Sequence, residues 1–334
     1  MKITEIKDKN NWERFILSTE WTPFFQSWAF GNSQKSKNTK IYRLAVTENK
    51  KIIMACQIFE ITAKRGRFFH LRHGPVFNDF SHKAFKLLLK HLVQLAETRD
   101  VWWIRMSPLI SKEQGKTILK KYNLINSPTA NQDAENCIVI DLKDSLETIF
   151  SRFKKNTRNL IRKAEKLGIT IVESTSITDY HLFDDIYHKT AVRQNFVPHK
   201  NICSEFKTLV QKNQIKLFLG YYQQTLLSAA LIVFYGKQAV YHHSGSIPTK
   251  LPVNYLLQWK VIQTAKNLGF RYYNLWGVSP RNKPNHPWSG LSFFKRSFGG
   301  TEIEFCHSLD LVLKAQYWLS YLYQKFWLWK KGYL

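Results

Sequence analysis

Cysteine is sparse: the 334 residues contain four, Cys56, Cys137, Cys203 and Cys306. No two form a Cys-x-x-Cys pair, which excludes a zinc ribbon. So thin a set in so long a chain does not build a disulfide framework. Glycine is also scarce, at 14 residues. Neither Gly-x-x-x-x-Gly-Lys nor Gly-x-Gly-x-x-Gly occurs, so the common glycine-rich phosphate cradles are missing. An acetyl-CoA enzyme wants such a turn at a helix N-terminus, and its absence counts against one. There is no Gly-x-Ser-x-Gly elbow and no His-Glu-x-x-His motif. Apolar runs are short, and none reaches the 18 uncharged residues of a spanning helix. The N-terminal MKITEIKDKNNWERF carries charge throughout and does not read as a signal peptide. A reducing cytoplasm is the expected compartment.

Acidic residues are few as well: 24 Asp and Glu face 50 Lys and Arg, a net charge of +26. An excess of that size implies polyanionic company, whether nucleic acid, an anionic membrane or a phosphorylated ligand. What is plentiful is hydrophobic material, 44% of residues, which supplies a large core. Aromatic residues make up 15%, with 11 Trp. The length suits two domains.

Periodicity predicts helices near 9–19 and 26–36, then a hairpin of strands 41–48 and 51–63 turning at Glu48-Asn49-Lys50. A strand over 67–77, a helix near 82–98, a strand over 101–107, a helix near 111–122 and a strand over 137–142 follow. The second half opens with one long helix, 145–167, capped by Asp144 or Ser145 and stopped by Gly168. Then come a strand over 169–174, a helix near 178–192, a meander over 216–222, 226–235 and 238–246, a helix near 253–268 and a strand over 270–278. Each half runs helices, an antiparallel meander, a helix and a buried strand, the order of a structural duplication. The fold class is α/β (α+β), with mixed sheets flanked by helices.

The 145–167 helix carries Arg152, Lys154, Lys155, Arg158, Arg162, Lys163 and Lys166 against Glu147 and Glu165. It is either a phosphate-tracking stripe or a solvated face. The segment NLWGVSPRNKPNHPWSGLSFFKRSFGG, 274–300, leaves a buried strand rich in Gly, Pro, Trp and cations, as ligand-bearing loops do. His242-His243 is the one adjacent histidine pair. Neighbours on a regular strand face opposite sides, so no metal site is expected. The C-terminal LVLKAQYWLSYLYQKFWLWKKGYL mixes aromatics and lysines, as interfacial helices do. Residues 311–322 are expected to pack on the first domain; for 323–334 packing and membrane contact both stand.

LWGV…GLSFFKRSFGG resembles the C-terminal signature of the Fem family (FemABX-like) of aminoacyl-tRNA-dependent peptidoglycan bridge transferases. FFQSWAFGNSQK (24–35), LRHGPVF (71–77), WIRMSP (103–108), FKKNTRNLIRKAEKLGITI (153–171), TAVRQNF (190–196) and YHHSGS…YLLQWKVIQTAKNLGFRYYNLWGV (241–278) match in order and cover nearly the whole chain. The resemblance implies two tandem GNAT-like domains without acetyl-CoA or any other cofactor. These are expected at 1–143 and 144–305, with a C-terminal helix over 306–334 returning to the first.

It also implies that the stem-peptide amine of a precursor, lipid II or UDP-MurNAc-pentapeptide, attacks the ester of an aminoacyl-tRNA. Lys295 then matches the catalytic lysine and Arg193 an arginine on the precursor's phosphate, while Tyr241 and His243 match aromatic precursor contacts. Lys155, Arg158, Arg162 and Lys163 fall on the side of the tRNA. Two positions depart from the pattern. Gln34, beside Lys35, stands where many members have a phosphate-binding Lys, and Ser107 stands where many have an acid before the proline. A monomer is expected. The competing readings are a same-fold acyltransferase with another donor, and a non-catalytic RNA- or membrane-binding protein.

Overall fold

The computed structural model describes residues 1–35, 39–130 and 132–333. In chain order its elements are β1 Lys2–Glu5, α1 Lys9–Ser18, α2 Trp28–Ser33, β2 Thr39–Glu48, β3 Lys51–Ala63, β4 Gly66–Leu71, β5 Val76–Phe77, α3 His82–Glu97, β6 Trp103–Met106, α4 Lys112–Lys121 and β7 Ile125–Asn126. Then follow β8 Asn136–Asp141, α5 Leu146–Ser151, α6 Lys155–Lys166, β9 Ile169–Ser174, α7 Ile177–Arg193, α8 Ile202–Val210, β10 Ile215–Tyr222, β11 Thr225–Tyr235, β12 Gln238–Ser246, α9 Val253–Asn267, β13 Tyr272–Gly277, α10 Ser289–Arg296 and β14 Thr301–Glu304. The chain ends with β15 Leu309–Val312 and α11 Tyr317–Lys330.

Two compact units result. The first holds Met1–Asn136, Gly277–Ser289 and Ile303–Leu334; the second holds Cys137–Trp276 and Gly290–Glu302. The division falls at Asn136/Cys137 rather than 143/144, and the segment 277–289 goes to the first unit. Residues 306–334 are not one helix, because Leu309–Val312 pairs with β6 as a strand before α11 begins.

In the first unit the sheet order is β1-β2-β3-β4-β6-β15-β7, with β5 on β3. The β2–β3 hairpin turns on Asn49 and Lys50, both at positive φ, which suits a two-residue turn. The α3 stripe of Ala84, Phe85, Leu88, Leu89, Leu92 and Ala96 fills one face of the sheet core. After α3 the chain returns as β6, parallel to β4.

In the second unit the order is β14-β8-β13-β12-β11-β10-β9. Its meander β10–β11–β12 is followed by α9, and β13 returns parallel to β12. Meander, helix and parallel return thus occur once in each sheet, which is the duplicated order.

The long helix expected over 145–167 is broken. Ser145 caps α5 by accepting from Thr148 N–H. Phe153 then turns inward among Phe150, Trp259 and Phe298, and α6 starts afresh at Lys155. Burying that ring outweighs continuing the helix. Arg158 closes the gap: its Nη1 donates to Ser151 O at 2.9 Å and to Phe153 O.

Helix α11 inverts the usual pattern. Its buried face is Tyr317, Ser320 and Gln324. Its exposed face carries Trp318, Leu319, Leu322, Tyr323, Phe326 and Trp329.

Candidate active site

In the second unit Lys295 lies on the last turn of α10. Glycine geometry explains the surrounding motif. A Cβ on Gly300 would lie 2.8 Å from Val139 O, and both Gly299 and Gly300 have positive φ. The pair lets the chain pass against β8, where side chains would not fit. Phe298 is buried against Phe153 and Phe294. Arg296 grips Glu302 through Nη2–Oε1 at 2.6 Å and Nε–Oε2 at 3.1 Å.

These anchors hold Lys295 inward, with only 4% of its surface exposed. Burial pushes its ammonium down to about 7, partly opposed by Cys137. The Cys137 thiol is itself pushed up to about 12 by burial, so it stays protonated near neutrality. Lys295 Nζ lies 5.7 Å from the centroid of the Tyr241 ring, at the outer range of a cation–π contact. Tyr241 interacts with Ser244 and Gln258, and Tyr273 OH donates to Gln258 Oε1 at 2.5 Å. The result is a charge that can be present or absent near pH 7, set beside a phenol in buried, low-dielectric surroundings. Such a group stabilises negative charge far better than one in water.

Arg193 ends α7, exposed, with Nη1 donating to Ser246 O at 2.6 Å. Gly245 makes this approach feasible: a Cβ there would stand 2.7 Å from Ile186 O. His243 is half-buried and touches Tyr187 and His199, with ring centroids 5.8 and 5.0 Å away. Of the basic residues, Lys155, Arg162 and Lys163 are exposed. Arg158, by contrast, is half-buried and tied to the carbonyls of Ser151, at the end of α5, and of Phe153.

In the first unit Gln34 is half-buried, its Nε2 donating to Ser33 Oγ at 3.1 Å, and Lys35 is exposed. Ser107 is buried. Its hydroxyl donates to Asp133 Oδ2 at 2.7 Å and accepts from His73 N–H. Burial alone would raise the Asp133 carboxyl, but Arg72, at 2.7 Å, and the neighbouring His70 and His73 hold it well below the usual range. Ser107 thus contacts a carboxylate 26 residues along the chain. Sequence spacing offered no sign of it. The same unit contains a cavity of about 440 Å³ lined by Trp21, His73, Phe77, Phe80 and Phe305, with Glu20 and Asp79 also on its wall.

The histidine pair departs from expectation. Tyr241 pairs with Ile232 and His243 with Leu231, so His242 is an extra residue in a β-bulge. The two rings lie 3.9 Å apart instead of on opposite faces. The bulge thus removes the alternation that would have kept the two rings from a shared ligand.

With this geometry the fold is that of a two-sheet, acetyltransferase-like protein. The FemAB family profile matches residues 8–132, 121–202 and 201–325, and the chain belongs to that family. Among solved structures, FemX superposes with a TM-score of 0.82 at 16% identity, covering 97% of this chain and 100% of that one. A tandem GNAT protein from the clavulanic acid biosynthesis pathway gives 0.59 at 8% identity over 93% and 98%. The C-terminal domain of a putative lysylphosphatidylglycerol synthetase from Agrobacterium fabrum gives 0.59 at 13% identity over 96% and 96%. None of the curated proteins matches the chain in sequence. At the level of its family the chain is a transferase of peptidoglycan bridge formation.

Proposed function

We propose that the protein moves an amino acid from aminoacyl-tRNA to the stem-peptide amine of a membrane-linked peptidoglycan precursor. The observation that carries this reading is Lys295, buried, titrating near neutrality and facing Tyr241. The ester is already activated. The amine attacks its carbonyl carbon, the carbonyl electrons move to oxygen, and collapse expels the tRNA ribose hydroxyl. The proton released by the attacking nitrogen ends on the departing ribose oxygen, which leaves as the hydroxyl. What the protein must supply is orientation and a positive partner for the oxyanion. Protonated Lys295 is that partner. Lys155, Arg162 and Lys163, in a chain of charge +26, suit the tRNA backbone. Arg158 is withdrawn from that set because its guanidinium closes α5. Glu20 and Asp79, on the wall of the first unit's cavity, suit the ammonium groups of a stem peptide.

Arg193 is assigned to the precursor's phosphate, since exposed guanidinium forks pair with phosphate oxygens. Arg193→Ala is expected to raise the Michaelis constant for the precursor about tenfold, on the order of one charge-assisted contact, with tRNA affinity unchanged. Steady-state kinetics with each substrate varied decides it. Weakened tRNA affinity with a normal precursor constant would reverse the assignment.

The exposed face of α11 supports a membrane-linked acceptor. Leu319 is 72% exposed, Leu322 65% and Trp329 68%, with Lys325 and Lys330 alongside. An apolar aromatic stripe edged by lysines seats in an anionic lipid surface. The triple change Leu322→Ser, Phe326→Ser, Trp329→Ser is expected to cut binding to anionic phospholipid vesicles more than tenfold, because each side chain contributes roughly 1.5–3 kcal/mol on burial. Co-sedimentation reads the effect. Binding equal to wild type would remove α11 from the membrane.

A further inference from the structure

Outside the reacting centre the second unit gathers three metal-binding side chains from two elements. Glu205 lies in the first turn of α8, and His242 and His243 on the bulge of β12. Their donor atoms all lie within 4.8 Å of one another. His242 Nε2 is 2.6 Å from Glu205 Oε1, and both side chains are almost wholly enclosed, 5% and 6% exposed. His243 is half-buried. A regular strand would have turned one ring away, so the bulge is what makes this set converge.

We propose that Glu205, His242 and His243 form a binding site for a divalent first-row transition-metal ion, zinc by the chemistry of its donors, which ties α8 to β12. Two imidazoles and one carboxylate form a borderline donor set that zinc takes in tetrahedral geometry, with water in the fourth position. Magnesium and calcium are disfavoured because they call for mostly oxygen ligands. Bonds of about 2.0–2.1 Å place tetrahedral donors about 3.3 Å apart. Glu205 and His242 therefore separate by under about 1 Å, which a side-chain rotation provides. The ion takes the place of the direct His242 Nε2–Glu205 Oε1 contact. This site does not depend on the transferase reading. Its place next to Tyr241 means that an ion there stiffens the strand carrying that ring.

The test uses the full chain, stripped with chelator and titrated with zinc chloride in a calorimeter, with bound metal counted by mass spectrometry. One ion per chain is expected, with a dissociation constant at or below about 1 μM and a thermal midpoint that rises with zinc. Glu205→Gln and His243→Gln should each weaken binding at least tenfold, while His181→Gln, on the exposed face of α7, should not. Saturable binding absent below about 100 μM, or equal affinity in folded Glu205→Gln and His243→Gln, overturns the site. If either variant fails to fold, cobalt(II) on the wild-type chain decides. A tetrahedral visible spectrum supports the site, and the weak spectrum of a six-coordinate ion refutes it.

Discussion

Lys295→Met is expected to lower turnover by about 10²–10³, or roughly 3–4 kcal/mol, the usual loss when one preorganised oxyanion stabiliser is removed. The Michaelis constants of both substrates should change little, because the charge acts mainly in the transition state. Stability should move the other way. The folded ammonium sits at about 7, below its ordinary 10.5, because burial disfavours the charged form. Below pH 7 the folded protein carries the full burden of a buried charge. Between about 7 and 10.5 the folded state binds fewer protons than the unfolded one, so wild-type stability gains with rising pH. Lys295→Met lacks this term, so its thermal midpoint should equal or exceed wild type, with the largest gain at acidic pH. The pH–rate profile gives a second signature. Wild-type turnover should fall as pH rises through the Lys295 titration, and that limb should be missing from the variant. Near-wild-type turnover would take Lys295 out of the chemistry, and a lowered midpoint would assign the loss to misfolding.

Asp310→Asn is expected to destabilise the first unit by about 3–5 kcal/mol, the scale of breaking a buried ion pair from one side. Arg105 and Asp310 are 1% and 0% exposed. Arg105 donates through Nε at 2.8 Å and Nη2 at 2.7 Å to the two carboxylate oxygens. Tyr317 OH donates to Asp310 Oδ2 at 2.9 Å, and Gln324 Oε1 accepts from Arg105 Nη1 at 3.2 Å. The pair thus fixes the polar face of α11 and turns the aromatic stripe outward. Denaturant midpoints at constant slope measure the loss. The double change Arg105→Met, Asp310→Leu should recover much of it, since apolar replacement of a whole buried pair is often neutral. A loss below about 1 kcal/mol in Asp310→Asn would show that the pair does not hold α11.

Where local chemistry decided the outcome, the sequence was readable. The Asn49-Lys50 turn, the α3 stripe and the Ile169–Ser174 strand stand where periodicity and turn residues put them. Long-range packing accounts for the rest. Phe153 satisfied the helical period, yet its burial against Trp259 and Phe298 broke the helix. The C-terminal segment left packing and membrane contact both open for 323–334, because its buried face is set by long-range partners: Arg105 and Asp310 hold Gln324 and Tyr317 inward. Helices α8 and α10 were missed: α8 opens at Asn201 without a side-chain cap bond, and α10 has only eight residues. The Lys295 motif was visible in sequence, but the burial that brings its ammonium near neutrality was not. The bulge at His242 and the reach of Asp133 to Ser107 depend on pairing and on a contact across 26 residues, and neither leaves a local trace.

In the proposed reaction an activated aminoacyl ester is the donor and a precursor amine the acceptor. The direct measurement supplies the purified protein with a mixed pool of radiolabelled aminoacyl-tRNAs and a lipid-linked peptidoglycan precursor. The account predicts label in the precursor as an amide, stable to mild base, abolished by prior ribonuclease treatment and reduced about 10²–10³ in Lys295→Met. Label entering the precursor from an acyl donor other than tRNA, or no transfer from any charged tRNA by folded protein, would contradict it.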